Sequence, residues 1–347
     1  MIDLDQLVRK NILGLKPYSS ARSEFKGSAE VFLDANENPY ETGLNRYPDP
    51  LQWALKDKIA VLKGLPAARI FLGNGSDEAI DLLIRIFCEP RRDHILTLPP
   101  TYGMYQVSAD IADVLVREIP LRTDFQPDVP AILGAVNEQS RLLFLCSPNN
   151  PTGNSMEPDL VQQLIDGFPG IVVIDEAYID FSARESFVQL LDRAPNLVVL
   201  QTFSKAWGLA GIRLGMAFAS EAIIHYFNKV KPPYNVNQLT QKAALAALNQ
   251  QEQFDQWVAA LLAERNKLTD QLGHLDFVQN IYPSDANFLL VKVDGAVGLY
   301  RYLVHEKIIV RDRSRVLLCE DCLRITVGRP EENRRLMGCL SNWKAHK

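Results

Sequence analysis

The segment RLLFLCSPNNPTGNSMEPDLVQQLIDGFPGIVVIDEAY, residues 141–178, decides the fold class of this chain. It holds two short, continuously apolar runs, RLLFLC and GIVVI, with a helix-like stretch between them. Apolar runs that alternate with helices are typical of parallel strands buried on both faces. The first run ends in a turn rich in Pro, Asn and Gly, and the second ends in a carboxylate. The segment therefore predicts a buried, mostly parallel sheet with polar groups after its strands.

The same pattern continues on both sides of this segment. Further strands are predicted in DHILTLPP (93–100), ADVLVREIP (112–120) and NLVVLQTFSK (196–205). The segment GNGSDEAIDLLIRIFCE (73–89) is predicted to be a glycine-rich turn leading into a helix, which Ser76 or Asp77 can cap. One face of this helix carries Ile80, Leu83, Ile84 and Phe87.

Toward the C-terminus the elements become smaller. Residues 237–272 are predicted to be helical, and ANFLLVKV, IIVRDR and CLRITVG then alternate with helices. We therefore expect an α/β fold with a large domain (31–245), whose mostly parallel sheet is flanked by helices, and a small α+β domain (246–347). An N-terminal segment (1–30) is expected to pack near the small domain and a dimer partner.

Composition and charge restrict which binding partners and which cellular compartment are expected for this chain. The chain has 347 residues, 47% of them hydrophobic, and a net charge of −5 without a long basic run, which argues against nucleic acid and anionic membranes. No apolar stretch approaches the ~20 residues of a membrane span, and the charged start MIDLDQLVRKNILGL favours a short amphipathic helix over a signal peptide. Five scattered cysteines favour a reducing cytoplasm. Cys319 and Cys322 form a C-x-x-C without a second ligand pair nearby, so we predict no metal site.

Chemistry-bearing residues follow the predicted strands. In open parallel sheets the ligand lies beyond the carboxyl ends of the strands, so residues from separate loops are expected to share one crevice. The residues concerned are Ser76, Asp77, Asn150, Asp175, Tyr178, Ser204 and Lys205.

The combination of charges in these loops points to one cofactor. Asp175 follows the apolar IVVI and is expected to be partly buried, so it requires a cationic partner. Lys205 can supply that partner in a simple ion pair. However, Arg213 adds a second cation, and the helix start at Ser76 adds N–H donors suited to a phosphate. Pyridoxal 5′-phosphate would use all of them: Asp175 at the ring nitrogen, Arg213 and Ser204 at the phosphate, and Lys205 as a Schiff base with the aldehyde.

The segment SKAWGLAGIRLG, residues 204–215, resembles the lysine signature of fold-type I pyridoxal-phosphate-dependent aminotransferases, the aspartate aminotransferase superfamily. CSPNNPTG, DEAY, PPTYGMY and NRYPDP resemble its other motifs, so the resemblance covers nearly the whole chain. It implies that Asn150 and Tyr178 contact the cofactor's 3-hydroxyl, that Tyr102 stacks on the ring, and that Tyr47 reaches the phosphate of the neighbouring subunit in a homodimer. The expected catalytic residues are Lys205, Asp175 and Tyr178. The expected cofactor-binding residues are Tyr47, Ser76, Asp77, Tyr102, Asn150, Asp175, Tyr178, Ser204, Lys205 and Arg213.

A closer resemblance is to the histidinol-phosphate aminotransferase family. It is carried by LKPYSSAR, LDANENPY, NRYP, PPTYGMY and IIVRDR with CLRITVG. It implies transamination of histidinol phosphate and 2-oxoglutarate to imidazole-acetol phosphate and glutamate, a step of histidine biosynthesis. It also implies that Arg324 holds the substrate, that Arg311 and Tyr18 help to hold its phosphate, and that Asn36 lines the site. One arginine fork suits both the glutamate carboxylate and the phosphate.

Several alternatives remain open at this stage. The aromatic residues and arginines named above can also serve as core or surface residues, and Ser76 and Asp77 as plain helix caps. Aromatic-amino-acid aminotransferases and threonine-phosphate decarboxylases share most of these motifs. A nicotinamide-dependent dehydrogenase would need G-x-G-x-x-G, and GNGSDE lacks the third glycine. A cofactor-binding regulator would need an added DNA-binding module, for which the first 30 residues are too short.

Overall fold

The computed structural model describes residues 3–18 and 30–343, in which eleven strands form two sheets. The larger sheet has the strand order β1-β7-β6-β5-β4-β2-β3. Its strands are β1 (Ile70–Asn74), β2 (His94–Thr97), β3 (Leu115–Glu118), β4 (Ser140–Cys146), β5 (Ile171–Asp175), β6 (Leu197–Thr202) and β7 (Leu214–Ala219).

Strand direction in the larger sheet is mostly parallel. The neighbours β3, β2, β4, β5 and β6 pair in parallel, whereas β7 runs antiparallel to both β6 and β1. The predicted strands around residues 93, 112, 141, 170 and 196 are all present, and the α/β fold class is confirmed. The pattern did not single out β7, whose first two residues are the last two of the signature segment 204–215.

Continuous apolar strands are buried because helices cover both faces of the sheet. Along β4, Leu143 and Leu145 pack into one hydrophobic cluster, and the alternate residues Leu142 and Phe144 pack into another on the opposite face. Strand β3 is the exception, because it lies at the sheet edge and most of its residues are exposed.

Helices account for most of the remaining described chain. Those before the third strand are α1 (Leu4–Leu7), α2 (Lys10–Leu13), α3 (Trp53–Lys63), α4 (Gly75–Phe87) and α5 (Met104–Ile111). The others are α6 (Val129–Gly134), α7 (Pro158–Gly167), α8 (Glu221–Val230), α9 (Gln238–Leu248), α10 (Gln251–Gly273), α11 (Ala296–His305) and α12 (Pro330–Leu340). Within the described ranges, no helix has the length and apolar character needed to cross a membrane.

Two sequence predictions about helices need correction. Helix α4 begins at Gly75 with Asn74 as its N-cap, so Ser76 and Asp77 lie inside the first turn and neither caps it. The predicted helix 237–272 is two helices, because Gln250 adopts a non-helical φ of −113° and ψ of 42° between α9 and α10. The predicted apolar face of α4 is present, and its four residues are buried.

The smaller sheet is antiparallel, with the order β10-β11-β9-β8. Its strands are β8 (Val278–Ile281), β9 (Phe288–Val293), β10 (Arg311–Asp312) and β11 (Cys322–Thr326). It has a core of its own, to which α10, α11 and α12 contribute Leu272, Leu299 and Leu336. The register pairs Arg311 with Arg324 on neighbouring strands, and both side chains reach the edge that faces the larger sheet's strand ends.

Candidate active site

A cavity of about 590 Å³ lies at the carboxyl ends of the parallel strands. Residues from both sheets line it. Of the sequence-predicted site residues, the structure brings eleven together here: Ser76, Asp77, Tyr102, Asn150, Asp175, Tyr178, Ser204, Lys205, Arg213, Arg311 and Arg324.

Three predicted residues lie outside this cavity. Tyr47 and Asn36 line a second, more open cavity of about 530 Å³, where the ring of Tyr47 stacks on Tyr234 with 4.4 Å between centroids. Tyr18 is 75% exposed. Within one chain, these three residues therefore do not join the eleven, and their roles stay predictions.

Asp175 sits at the end of β5, buried at 2% exposure. Its Oδ2 accepts a hydrogen bond from the Tyr105 hydroxyl at 2.8 Å, and its Oδ1 accepts one from the Ala177 backbone N–H at 3.1 Å. Burial raises the pKa of Asp175 to about 6, against the opposing effect of these hydrogen bonds. The Asp175 side chain is thus a desolvated carboxylate that two hydrogen bonds hold in position. A cation in the cavity would stabilise its charged form.

Sequence reasoning missed Tyr105, the principal hydrogen-bond partner of Asp175. The side chain is fully buried, and its ring stacks on Phe144 at 4.6 Å. Tyr105 is the second tyrosine of PPTYGMY, and it lies in the first turn of α5, whereas Tyr102 precedes that helix. Only the spacing of the two tyrosines signals different roles, and spacing alone does not say which one reaches Asp175.

Lys205 follows β6 and projects into the open cavity. Its Nζ lies 5.2 Å from the ring centroid of Tyr178. Within the described part of the chain the Lys205 Nζ makes neither a hydrogen bond nor an ion pair, so the simple Asp175–Lys205 ion pair is not formed. Partial desolvation lowers the pKa of Lys205, and Arg324 acts in the same direction while Asp175 opposes it. A lowered pKa favours the neutral amine that attacks an aldehyde.

The start of α4 offers a site for an anion. The first-turn N–H groups of a helix have no partner within the helix, and the dipole adds positive potential there. Beside this turn, an Arg213 Nη2 lies 3.5 Å from the Asp77 carboxylate, and Nη1 donates to the Ser204 hydroxyl at 3.4 Å. The Tyr102 hydroxyl donates to Asp77 at 3.1 Å. The start of α4, the Ser204 hydroxyl and the Arg213 guanidinium thus lie close together, as groups that bind a phosphate do.

Close backbone packing gives this anion site its shape. A Cβ on Gly215 would lie 2.1 Å from the Ser76 nitrogen, so only glycine lets β7 approach the first turn of α4. Arg213 itself adopts a left-handed backbone with φ of 52°, which ends the short 3-10 turn Ala210–Ile212. Of the glycines in the signature segment, Gly215 therefore serves this contact.

The opposite wall of the cavity comes from the smaller sheet. The Arg324 guanidinium donates to the Asn150 side-chain oxygen and lies 5.2 Å from the ring centroid of Phe288. The Nε atoms of Arg324 and Arg313 are buried without a hydrogen-bond partner. Unpaired buried donors are costly, so these guanidinium groups suit an anion that enters the cavity. Sequence reasoning did not select Arg313.

The residues present fit pyridoxal 5′-phosphate by their chemistry. A buried carboxylate, an amine with a lowered pKa and an anion site at a helix start lie in one cavity, and Tyr102 and Tyr178 offer aromatic surface beside them. Among the described residues, no group of three or more His, Cys, Asp or Glu is arranged to hold a metal ion. The cavity is thus built for an organic phosphate that carries a carbonyl and a basic nitrogen.

Comparison with known proteins identifies the family. The model of class I and II aminotransferases matches residues 23–340. This chain therefore belongs to the class I and II aminotransferase family, and it has the fold of that family's enzymes.

Two individual relatives and one solved structure are similar to this chain over most of its length. A protein named histidinol-phosphate aminotransferase, from Parabacteroides distasonis, is 56% identical over 99% of this chain and 100% of its own length. Another of the same name, from Cytophaga hutchinsonii, is 54% identical over 98% and 99%. The solved structure of histidinol-phosphate aminotransferase from Sinorhizobium meliloti, in complex with pyridoxal-5′-phosphate, has a TM-score of 0.76 at 24% identity, over 85% of this chain and 82% of that one.

Proposed function

We propose that this protein is a pyridoxal-phosphate-dependent enzyme that transfers an amino group between histidinol phosphate and 2-oxoglutarate. The products are imidazole-acetol phosphate and glutamate, and in the biosynthetic direction glutamate donates the amino group. The observation that carries the proposal is Lys205, unpaired in the described chain, in one cavity with buried Asp175 and the start of α4. Relatives of that name at 54–56% identity over nearly full length support the substrate.

The proposed cofactor would be held at several points. Ser204, Arg213 and the first turn of α4 would bind its phosphate, and Asp175 would pair with its ring nitrogen. Tyr102 would stack on the ring, and Asn150 and Tyr178 would contact the 3-hydroxyl. When bound, this cofactor supplies an electron sink that stabilises negative charge on the substrate carbon.

Lys205 would have two tasks in this reaction. Its amine would hold the cofactor's aldehyde in the resting enzyme, and after release it would move a proton to and from the substrate carbon. The lowered pKa of Lys205 supports the second task, because the neutral amine is the form that accepts a proton. Asp175, held by Tyr105 and the Ala177 N–H, would keep a negative charge at the ring nitrogen.

The cofactor-binding residues alone do not separate this reaction from those of related enzymes. Aromatic-amino-acid aminotransferases and threonine-phosphate decarboxylases would use the same carboxylate and lysine. The arginines Arg311 and Arg324 support an anionic substrate, and the names of the full-length relatives favour histidinol phosphate over the alternatives.

We also propose a homodimer of chains, each with domains at 31–245 and 246–347. In this assembly Tyr47 and Asn36 of one subunit would complete the cavity of the other, and Tyr18 in the segment 1–30 would approach the substrate phosphate. The support for this arrangement is the resemblance of NRYPDP to the family segment whose tyrosine reaches the neighbouring subunit.

An absorbance titration tests the proposal. Purified protein should carry the visible band of lysine-bound cofactor, and histidinol phosphate should convert it to the band of the amine form. A protein that carries the band but responds only to phenylalanine, or that releases carbon dioxide from threonine phosphate, would refute the substrate. A protein without any cofactor band after incubation with pyridoxal 5′-phosphate would refute the cofactor.

A further inference from the structure

The main cavity contains more positive charge than the cofactor needs. Five cationic side chains line it, and only two carboxylates do. Among these seven side chains, Arg213 is paired with Asp77, and Lys205 and Asp175 belong to the proposed cofactor site. Three arginines remain on the wall from the smaller sheet: Arg311, Arg313 and Arg324.

These three guanidinium groups lack acidic partners in the described chain. No ion pair joins any of them to a carboxylate among residues 3–18 and 30–343. They also repel one another, because Arg311 lies opposite Arg324 in the strand register and lowers the pKa of both Arg313 and Arg324. Desolvation is the larger cause of both lowered pKa values. An anion of high charge that enters the cavity would compensate this cluster.

The backbone of Arg313 is held by hydrogen bonds on both sides. Its N–H donates to the Cys322 carbonyl at 2.9 Å, and its carbonyl accepts from the Val316 N–H at 2.8 Å. The side chain is half-buried, with a buried Nε that has no partner, and Tyr178 is among the groups that influence its charge. The Arg313 side chain thus lines the cavity beside Arg311 and Arg324.

The two proposed substrates differ in how they would use such a cluster. A phosphate monoester carries a charge of about −1.5 to −2 on three acceptor oxygens, whereas each glutamate carboxylate carries a single charge on two. One bidentate arginine satisfies a carboxylate, but a phosphate can accept from two or three guanidinium groups at once.

We propose that Arg313 is a specificity-determining residue, which joins Arg311 and Arg324 to bind the phosphate monoester of the substrate and contributes little to glutamate. This inference rests on the proposed function. Arg313 thereby gives the enzyme a preference for phosphorylated amino donors over the same donors without phosphate.

The test compares half-reactions of the cofactor-loaded enzyme. Wild type, Arg313→Gln and Arg313→Lys are each reacted with histidinol phosphate, histidinol and glutamate. For Arg313→Gln, kcat/KM with histidinol phosphate should fall about 10- to 100-fold, since a hydrogen bond to a charged group is removed. With glutamate or histidinol it should stay within about threefold. For Arg313→Lys, which keeps the charge, kcat/KM with histidinol phosphate should lie between the values of wild type and Arg313→Gln.

Arg315→Gln is the matched control, because Arg315 is exposed in the same turn and does not line the cavity. It should leave all three reactions unchanged. Equal losses with histidinol phosphate and glutamate in Arg313→Gln, or no loss at all, would overturn the inference and leave the proposed function standing. A wild-type enzyme that reacts with glutamate but not with histidinol phosphate would overturn the proposed function itself.

Discussion

Asp175 and Lys205 line the same cavity, and desolvation shifts their pKa values in opposite directions. The pKa of Asp175 is raised to about 6 and that of Lys205 is lowered. Each shift disfavours the charged form, so a cation near Asp175 would be stabilised, and Lys205 would more readily present a neutral amine to a carbonyl. The sequence predicted this pair from a strand end and a signature segment. It could not predict Tyr105, because the hydrogen bond to Asp175 joins residues 70 positions apart.

Removing the amine at position 205 tests its assigned role. Lys205→Ala should reduce turnover by at least about 10³-fold, because both the covalent anchor and the proton carrier are lost. It should still bind the cofactor through Ser204, Arg213 and the first turn of α4, measured by equilibrium dialysis. Lys267→Ala, on the exposed side of α10, serves as the control. Retained turnover in Lys205→Ala would refute the mechanism.

Removing the Tyr105 hydroxyl tests the support of Asp175. That hydroxyl stabilises the carboxylate and lowers its pKa, so Tyr105→Phe should raise the pKa of Asp175 further. The carboxylate is then protonated up to a higher pH. The acid limb of the pH profile of kcat/KM should therefore shift to higher pH by roughly one unit. Tyr302→Phe, which loses a hydrogen bond to the Cys339 carbonyl, should leave the limb in place. An acid limb at the same pH in wild type and Tyr105→Phe would contradict the role of Tyr105 as the support of Asp175.

At the scale of elements, the anion site depends on how closely β7 approaches α4. The hydrophobic pattern predicted α4 and its buried face, since that face repeats at helical spacing. The same pattern did not show that α4 begins at Gly75, because Ser76 and Asp77 are also good capping residues. The fit of Gly215 against the Ser76 nitrogen is a tertiary contact, which local propensity does not contain.

Two glycines of the signature segment provide a matched comparison. Gly215→Ala places a Cβ 2.1 Å from the Ser76 nitrogen, so β7 and α4 must separate. We expect a loss of about 1–3 kcal/mol in the free energy of unfolding and a weaker affinity for the cofactor phosphate. Gly211→Ala meets no heavy atom within 4 Å and should change neither quantity. Denaturant titration and cofactor dialysis measure both effects, and identical behaviour of the two variants would disprove the packing argument.

At the scale of the whole molecule, the cavity exists because the two sheets face each other. The larger sheet contributes the lysine and carboxylate, and the smaller sheet contributes the arginines. The sequence predicted both sheets, but no pattern in it indicates that Arg313 accompanies Arg311 and Arg324. Tyr47, Asn36 and Tyr18 show the limit of reasoning about one chain, since their predicted roles require a second subunit.

Subunit mixing tests the proposed homodimer. In a symmetric dimer whose cavities combine residues of both chains, Lys205→Ala and Tyr47→Ala subunits would form hybrids with one complete site. Co-expression should therefore restore activity to roughly a quarter of wild type by random pairing, above that of either variant alone. Light scattering should give twice the mass of the 39.0 kDa chain. An active monomer, or mixtures no better than the separate variants, would contradict the shared site.

The most direct test of the central claim follows the nitrogen atom itself. Purified protein with pyridoxal 5′-phosphate is incubated with ¹⁵N-amino histidinol phosphate and 2-oxoglutarate, and glutamate is analysed by mass spectrometry. We predict ¹⁵N-glutamate and imidazole-acetol phosphate in equal amounts, formed by wild type and absent with Lys205→Ala. Unlabelled glutamate only, or labelled glutamate formed equally well without Lys205, would contradict the account.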